Sequence, residues 1–177
     1  MGASLDGFIA SADNDIGWME TKDSYDKGVD FPDKDAVAAF LKTIDCYVMG
    51  YNTYELALKL GWIYGDTPTV VVTHRTLTPH RPTVEFHSGD LRTLVDEVLS
   101  PRFANVWLVG GAQLAKDFLQ QGLVDDIRMM IMPILIGGGT PFFDNIACEV
   151  PLHLKEVTAY KSGLVELWYE VRRNTAD

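Results

Sequence analysis

NVWLVGGAQLAKDFLQQGLVDDIRMMIMPILIGGGTPFFD, residues 105–144, decides how the rest of the chain is read. Val106-Trp107-Leu108-Val109 is an apolar run without polar alternation, the pattern of a strand buried on both faces of a mainly parallel sheet. It stops at Gly110-Gly111. From Ala112 the apolar positions Leu114, Ala115, Phe118 and Leu119 recur at helical spacing, and Gly122 stands where a helix ends on glycine. A strand, two glycines and a helix start leave free N–H groups at the positive end of a helix dipole, which suits a phosphate. The same pattern also serves as an ordinary tight strand-to-helix turn, and G-x-G-x-x-G is absent. A second apolar run, Met129 to Ile136, ends in Gly137-Gly138-Gly139. If the two strands are neighbours, bare backbone from both lies at the carboxyl ends of the sheet, where open α/β sheets bind ligands.

The chain around this stretch has 177 residues, enough for one domain with one core. Its 47% hydrophobic and 23% charged residues describe a globular protein rather than a disordered one. No run of about 18 apolar residues and no basic, apolar leader occurs, so a cytoplasmic protein without membrane partners is expected. Fifteen Lys and Arg against 25 Asp and Glu give a net charge of −10, which disfavours a nucleic-acid partner because phosphate contacts need cationic patches. Cys46 and Cys148 are too few for a disulfide framework and read as buried small apolar residues. His74, His80, His87 and His153 lack metal-ligand spacing, so no metal is expected.

In chain order, Ser4 to Ala10 reads as a strand interrupted at Asp6-Gly7 by a bulge. A long polar loop, Ser11 to Pro32, carries Ile16-Gly17-Trp18-Met19, and loops of this length are commonly lids or binding segments. A helix follows over Asp33 to Ile44, with Val37, Phe40, Leu41 and Ile44 as its apolar stripe. Asp33 either caps this helix or, starting the stripe, faces inward, and capping suits its residue type better. Cys46 to Gly50 is a buried strand, and Asn52 to Lys59 a helix that Asn52 or Thr53 can cap. Thr69 to Thr73 is another strand, followed by His74-Arg75 and His80-Arg81, the only basic cluster of its kind in an acidic chain. A short strand, Thr83 to His87, and a helix, Asp90 to Leu99, complete the first half. Pro151 to Tyr160 and Leu164 to Arg172 form a hairpin about Lys161-Ser162-Gly163, closing a sheet edge or lying in a dimer contact. The last four residues read as a loose tail, and Met1-Gly2 opens a strand that is short at its start.

The order VGGAQL, GLVDDIR, PILIGGGTPFF, with Ser4-Leu5-Asp6-Gly7-Phe8-Ile9-Ala10 and Val48-Met49-Gly50-Tyr51-Asn52-Thr53-Tyr54-Glu55, resembles the dihydrofolate reductase-like superfamily. The nearest branch is the reductase domain of bifunctional riboflavin-biosynthesis deaminase-reductases. The resemblance implies a single-domain, three-layer α/β fold, with a mostly parallel central sheet, helices on both faces and a C-terminal antiparallel hairpin. It implies an NADPH-dependent reductase of a pteridine, pyrimidine or similar heterocycle, of the dihydrofolate reductase or 5-amino-6-(5-phosphoribosylamino)uracil reductase type, with NADH as a possible cofactor. A homodimer is implied as well. The cofactor-binding positions it implies are Ala10, Ile16, Gly50, Tyr51, Thr53, Thr73, His74, Arg75, Val109, Gly110, Gly111, Ala112, Gln113 and Leu114. In such reductases the Ser11–Pro32 loop covers the nicotinamide, with Ile16 and Trp18 as contacts, although Trp18 equally suits a core edge. Relatives carry Gly-Arg-x-Thr where this chain has Gly50-Tyr51-Asn52-Thr53, so a bidentate phosphate clamp is replaced by an aromatic ring. Thr73, His74 and Arg75 become the candidates for the 2′-phosphate.

Hydride transfer to a C=N bond also needs a proton source. Dihydrofolate reductases use an inward carboxylate on the first helix, a position that ungapped counting assigns here to Lys34, flanked by Asp33 and Asp35. Asp33 and Asp6 are therefore the catalytic candidates. Asp6 acts as an acid if burial raises its pKa, and otherwise serves as a local backbone anchor. The alternative is a noncatalytic nucleotide- or ligand-binding protein that keeps the fold.

Overall fold

The computed structural model describes residues 2–172. In chain order its strands are β1 (Gly2–Ser4), β2 (Phe8–Ala10), β3 (Cys46–Gly50), β4 (Thr69–Val72), β5 (Val84–His87), β6 (Val106–Gly110), β7 (Asp126–Met132), β8 (Thr140–Pro141), β9 (Leu152–Ala159) and β10 (Val165–Val171). The helices are α1 (Lys34–Leu41), α2 (Tyr51–Lys59), α3 (Leu91–Thr93), which continues in wider turns over Leu94–Leu99, and α4 (Ala112–Gln120). They pack as two compact units, Asp33–Leu123 and the chain on either side of it. The α/β class, the parallel sheet and the C-terminal antiparallel hairpin are those expected.

In the Asp33–Leu123 unit four strands run parallel in the order β5-β4-β3-β6. β3 has a hydrogen-bonded neighbour on each side, so its backbone is satisfied and Cys46, Val48 and Met49 are wholly buried. Each such side chain contributes roughly 1.5–3 kcal/mol by burial. Tyr47, Met49, Tyr54, Ala57, Trp62, Val71 and Val84 form the core, with Tyr51, Phe86, Trp107 and Val109 packed against it. β6 lies at the edge of this sheet and pairs with β3 alone. Nor is it buried on both faces: Val106 is exposed and Trp107, Leu108 and Val109 are half-buried. The apolar stripe of α1 is also more open than its spacing predicts, with Phe40 and Leu41 exposed, although Phe40 meets Trp107 edge-on at 5.8 Å.

In the other unit the sheet order is β1-β7-β10-β9, parallel only between β1 and β7, and β2 pairs with β8. β9 and β10 form the expected hairpin, with β9 closing the sheet edge. The second apolar run begins its strand earlier and ends it sooner than its composition suggests. Asp126 opens β7 and Met132 closes it, leaving Ile134 and Leu135 exposed. β7 takes β1 and β10 as its hydrogen-bonded neighbours, so the condition that the two glycine-terminated strands pair with each other is not fulfilled. Cys148, expected to be buried, is exposed. Met1 and the terminal tail lie outside the described residues.

The Ser11–Pro32 loop is fastened rather than open along its second half. Tyr25 and Val29 donate backbone hydrogen bonds to Lys161 and Ala159 (2.7 and 2.9 Å), and Lys161 returns one to Val29 (2.8 Å). The Lys161 ammonium pairs with Asp30 at 2.9 Å, and the Phe31 ring lies 5.0 Å from that of Tyr160. Trp18 packs against the Met132, Tyr160 and Leu164 cluster, which makes it a cover for a core edge.

Candidate functional site

Within the Asp33–Leu123 unit three adjacent strands end level with one another. Gly50 pairs with Val72 and Met49 with Gly110, and a register shift after Val48 leaves Val109 as the extra residue of a bulge. Bulges re-aim the chain at the end of a strand. A Cβ at Gly50 would lie 3.9 Å from the Gly110 carbonyl oxygen, and one at Gly111 would lie 3.6 Å from Thr53 Oγ1. Gly110 has φ +102°, a conformation that favours glycine. The two strand-to-helix turns therefore lie against each other through bare backbone.

The helices after these turns differ from the other two in how they begin. Asp33 caps α1, its carboxylate accepting from the Ala36 N–H at 2.8 Å, and Asp90 caps α3 in the same way through the Thr93 N–H at 2.9 Å. α2 and α4 start at Gly50 and Gly111, and neither has a side-chain cap. The first-turn N–H groups at β3 and β6 thus keep their partial positive charge with no carboxylate over them, as an anionic ligand requires. Neither Asn52 nor Thr53 caps α2, contrary to expectation. An anionic group suits this pair of turns, whereas the starts of α1 and α3 are already met by a carboxylate.

Beside them stands a cation. Thr73, 8% exposed, accepts the Arg75 N–H at 3.2 Å, and this turn brings the Arg75 guanidinium over the Tyr51 ring, 4.1 Å from its centroid. Tyr51 in turn donates its hydroxyl hydrogen to Glu55 at 2.7 Å. That bond pushes the Tyr51 hydroxyl above its ordinary pKa. His74 is exposed. Of the remaining positions here, Ala112 and Leu114 are buried and offer a ligand only backbone, and Gln113 is exposed and donates to Asp117 at 2.9 Å. Glu55 was not singled out from the sequence, although its i, i+4 spacing from Tyr51 was the available signal.

Ala10, Ile16 and Asp6 belong to the other unit. Ala10 is in β2, where a Cβ on Gly139 would run into its carbonyl oxygen, so this glycine permits β8 to approach β2. Ile16 is 39% exposed and precedes the short turn carrying Trp18. The Asp6 carboxylate is the centre of a knot. It accepts the Ser4 hydroxyl at 2.6 Å and the N–H groups of Ile136 and Gly137 at 3.2 and 2.8 Å. The Ser4 hydroxyl, with help from those N–H groups, holds the Asp6 pKa below its ordinary value. Asp6 is exposed, so the burial that would make it an acid is missing, and its role is that of an anchor. Asp33 is also exposed and engaged as a cap, which removes the inward placement considered for it.

A lowered carboxyl pKa stabilises the fold above the unfolded-state value and ceases to do so as pH falls through the folded one. The thermal midpoint of the wild type is therefore expected to drop on acidification below about pH 4. Asp6→Asn keeps one acceptor oxygen but sets an amide against the N–H of Ile136 or Gly137. Its midpoint should be lower at neutral pH and should vary less on acidification; a parallel pH profile for the two proteins would exclude the anchor.

A parallel sheet with helix starts left open at its strand ends, joined in one chain to an antiparallel hairpin, defines an α/β protein with an anion-accepting sheet end. The comparisons give that class its family. The RibD C-terminal domain matches residues 1–165, and the chain belongs to this family, whose members are reductases. The uncharacterized Bacillus subtilis protein YwjB is 28% identical over 94% of this chain and 92% of its own length. A second from the same organism, YyaP, is 25% identical over 96% and 91%. Among solved structures, a protein from Shewanella sp. PV-4 assigned to riboflavin biosynthesis superposes with a TM-score of 0.83, at 24% identity over 98% of this chain and 97% of the other. A Thermotoga maritima diaminohydroxyphosphoribosylaminopyrimidine deaminase/5-amino-6-(5-phosphoribosylamino)uracil reductase gives 0.67 at 15% identity, over 97% of this chain and 55% of that longer one. At these identities the structures show the fold.

Proposed function

We propose that the chain is a nicotinamide-nucleotide-dependent reductase of a pyrimidine, pteridine or similar heterocycle, using NADPH. The observation that carries this reading is the pair of uncapped, glycine-entered helices at neighbouring strand ends, with the Arg75 guanidinium stacked beside them. Gly50, Gly111 and the first turns of α2 and α4 would hold the diphosphate through N–H groups, and Arg75, stacked on Tyr51, the 2′-phosphate at the adenosine end. Bound NADPH supplies a hydride to a polarised C=N or C=O bond of the heterocycle. The chain's part is to hold the nucleotide in place, which lowers the barrier by orientation. With Asp6 and Asp33 both engaged in hydrogen bonds, the proton comes from water. Cytoplasmic action as a homodimer belongs to the same proposal and rests on the resemblance to other reductases.

The engagement of both carboxylates also favours a second reading, a protein that binds the nucleotide without reducing anything. Titration with NADPH, followed by quenching of the four tryptophans, tests the shared first step. Loss of reduced-nicotinamide absorbance on adding 5-amino-6-(5-phosphoribosylamino)uracil or dihydrofolate then separates the two readings. Binding without turnover of any such heterocycle supports the second, and no binding of NADPH or NADH overturns both.

A further inference from the structure

The Arg75 guanidinium, which has no carboxylate ion pair among the described residues, and the Tyr51–Glu55 hydrogen bond beside it carry one step more. In a chain of net charge −10 several cations are taken up by carboxylates: Arg81 by Asp66, Arg102 by Glu85, Lys155 by Asp126 and Lys161 by Asp30. Arg75 instead has its flat face on Tyr51. Stacking uses the face of a guanidinium and leaves in-plane N–H donors pointing outward, the arrangement that takes two oxygens of one phosphate. Its backbone is fixed by Thr73, which is buried and whose own N–H donates to the His87 carbonyl at 2.9 Å. The guanidinium, however, is only as well placed as the ring under it. Tyr51 is the first residue of α2, where a side chain has a turn on one side only, and Glu55, one turn on, takes its hydroxyl.

We propose that Glu55 is a positioning residue for ribose-phosphate recognition. By holding the Tyr51 hydroxyl it fixes the platform on which Arg75 lies, and so sets the preference for a 2′-phosphorylated nicotinamide nucleotide over one with a free 2′-hydroxyl. This rests on the nucleotide reading above and adds a residue that touches no ligand. Glu55 acts against its own charge: a carboxylate bonded to the ring under Arg75 would repel a phosphate held there, and only the hydrogen bond it accepts makes it useful. A neutral acceptor of the same shape should therefore serve as well or better.

The test is competition binding of 2′,5′-ADP and 5′-AMP, together with direct titration of NADPH and NADH, to the wild type and to Arg75→Ala, Glu55→Ala and Glu55→Gln. Arg75→Ala should weaken NADPH and 2′,5′-ADP about tenfold or more and leave NADH and 5′-AMP nearly unchanged, the loss of a charge-assisted bidentate contact. Glu55→Ala should lower the ratio of 2′,5′-ADP to 5′-AMP affinity several-fold. Glu55→Gln should retain or raise it. In the Arg75→Ala background Glu55→Ala should leave the ratio unaltered, since the cation it positions is gone. A Glu55→Ala protein that loses thermal stability but keeps its wild-type ratio overturns the inference, as does an equal loss for both ligands in Arg75→Ala. Both outcomes leave the nucleotide reading standing, whereas failure of all four nucleotides to bind the wild type removes both together.

Discussion

Gly111→Asp is expected to leave the protein folded and slightly more stable, yet lower its affinity for NADPH at least about 100-fold, a loss of some 2.7 kcal/mol. Both effects have one cause. Gly111 precedes α4 with φ −68° and ψ −166°, an extended conformation that any residue adopts, and this is the geometry in which Asp caps a helix. The new carboxylate would accept an N–H from the first turn of α4, as Asp33 already does in α1. Relative to glycine, capping and the stiffer unfolded chain contribute about 0.5 kcal/mol. That same N–H is then closed to a diphosphate, which also meets a negative charge at close range, an interaction of about 4 kcal/mol at 4 Å for an effective dielectric of 20. Gly111→Ala is the control. Its Cβ meets Thr53 Oγ1 at an ordinary 3.6 Å, so affinity should change only a few-fold. Calorimetric titration and thermal unfolding read the two quantities separately. An aspartate variant that binds as well as the wild type would show that no phosphate lies at this turn.

Much of this site was legible in the sequence because it is built from backbone. A strand that stops at glycine and a helix that starts at once can be recognised from composition, and Gly50 and Gly110-Gly111 do lie against each other. What could not be read was where side chains go once the fold brings distant segments together. Asp6 lies 130 residues from Ile136 and 131 from Gly137, whose N–H groups it accepts, and no local pattern announces that partnership. Its Asp-Gly pair suggested a bulge within one strand, whereas the chain turns there, with the Gly7 N–H on the Ser4 carbonyl at 2.9 Å, and β1 and β2 belong to different sheets. The Val106–Val109 run misled for a related reason. An apolar strand with no alternation reports that both faces avoid water somewhere, and says nothing about how many strands flank it within its own sheet. Asp33 was resolvable by residue type alone, since a helix entered through Asp gains a cap, and the structure puts its carboxylate on the Ala36 N–H.

Tyr54→Ala should be the most destabilising of the substitutions considered, by about 3–5 kcal/mol, while Tyr54→Phe should cost less than about 1 kcal/mol. Tyr54 is 3% exposed, and its ring meets those of Trp62 and Phe86 edge to face, with centroids at 5.9 and 5.6 Å and interplanar angles of 80° and 88°. This geometry sets the positive rim of one ring against the negative face of another, so each pair adds to plain burial. The hydroxyl does little by comparison, accepting only a long bond of 3.4 Å from the N–H of His80, whose residue is exposed and so open to water. Alanine would leave a cavity bordered by Trp62 and Phe86, a large fraction of the 5–15 kcal/mol that holds a typical domain together. The Tyr51 ring also packs against Tyr54, with centroids 6.5 Å apart, so the same cavity loosens the platform under Arg75. Urea unfolding gives the stability loss, and binding of 2′,5′-ADP under conditions where the variant remains folded gives the second effect. Phenylalanine at this position should restore both, because ring volume rather than the hydroxyl links the core to the nucleotide end of the sheet. An alanine variant with the wild-type urea midpoint would exclude this aromatic cluster as the core of the unit.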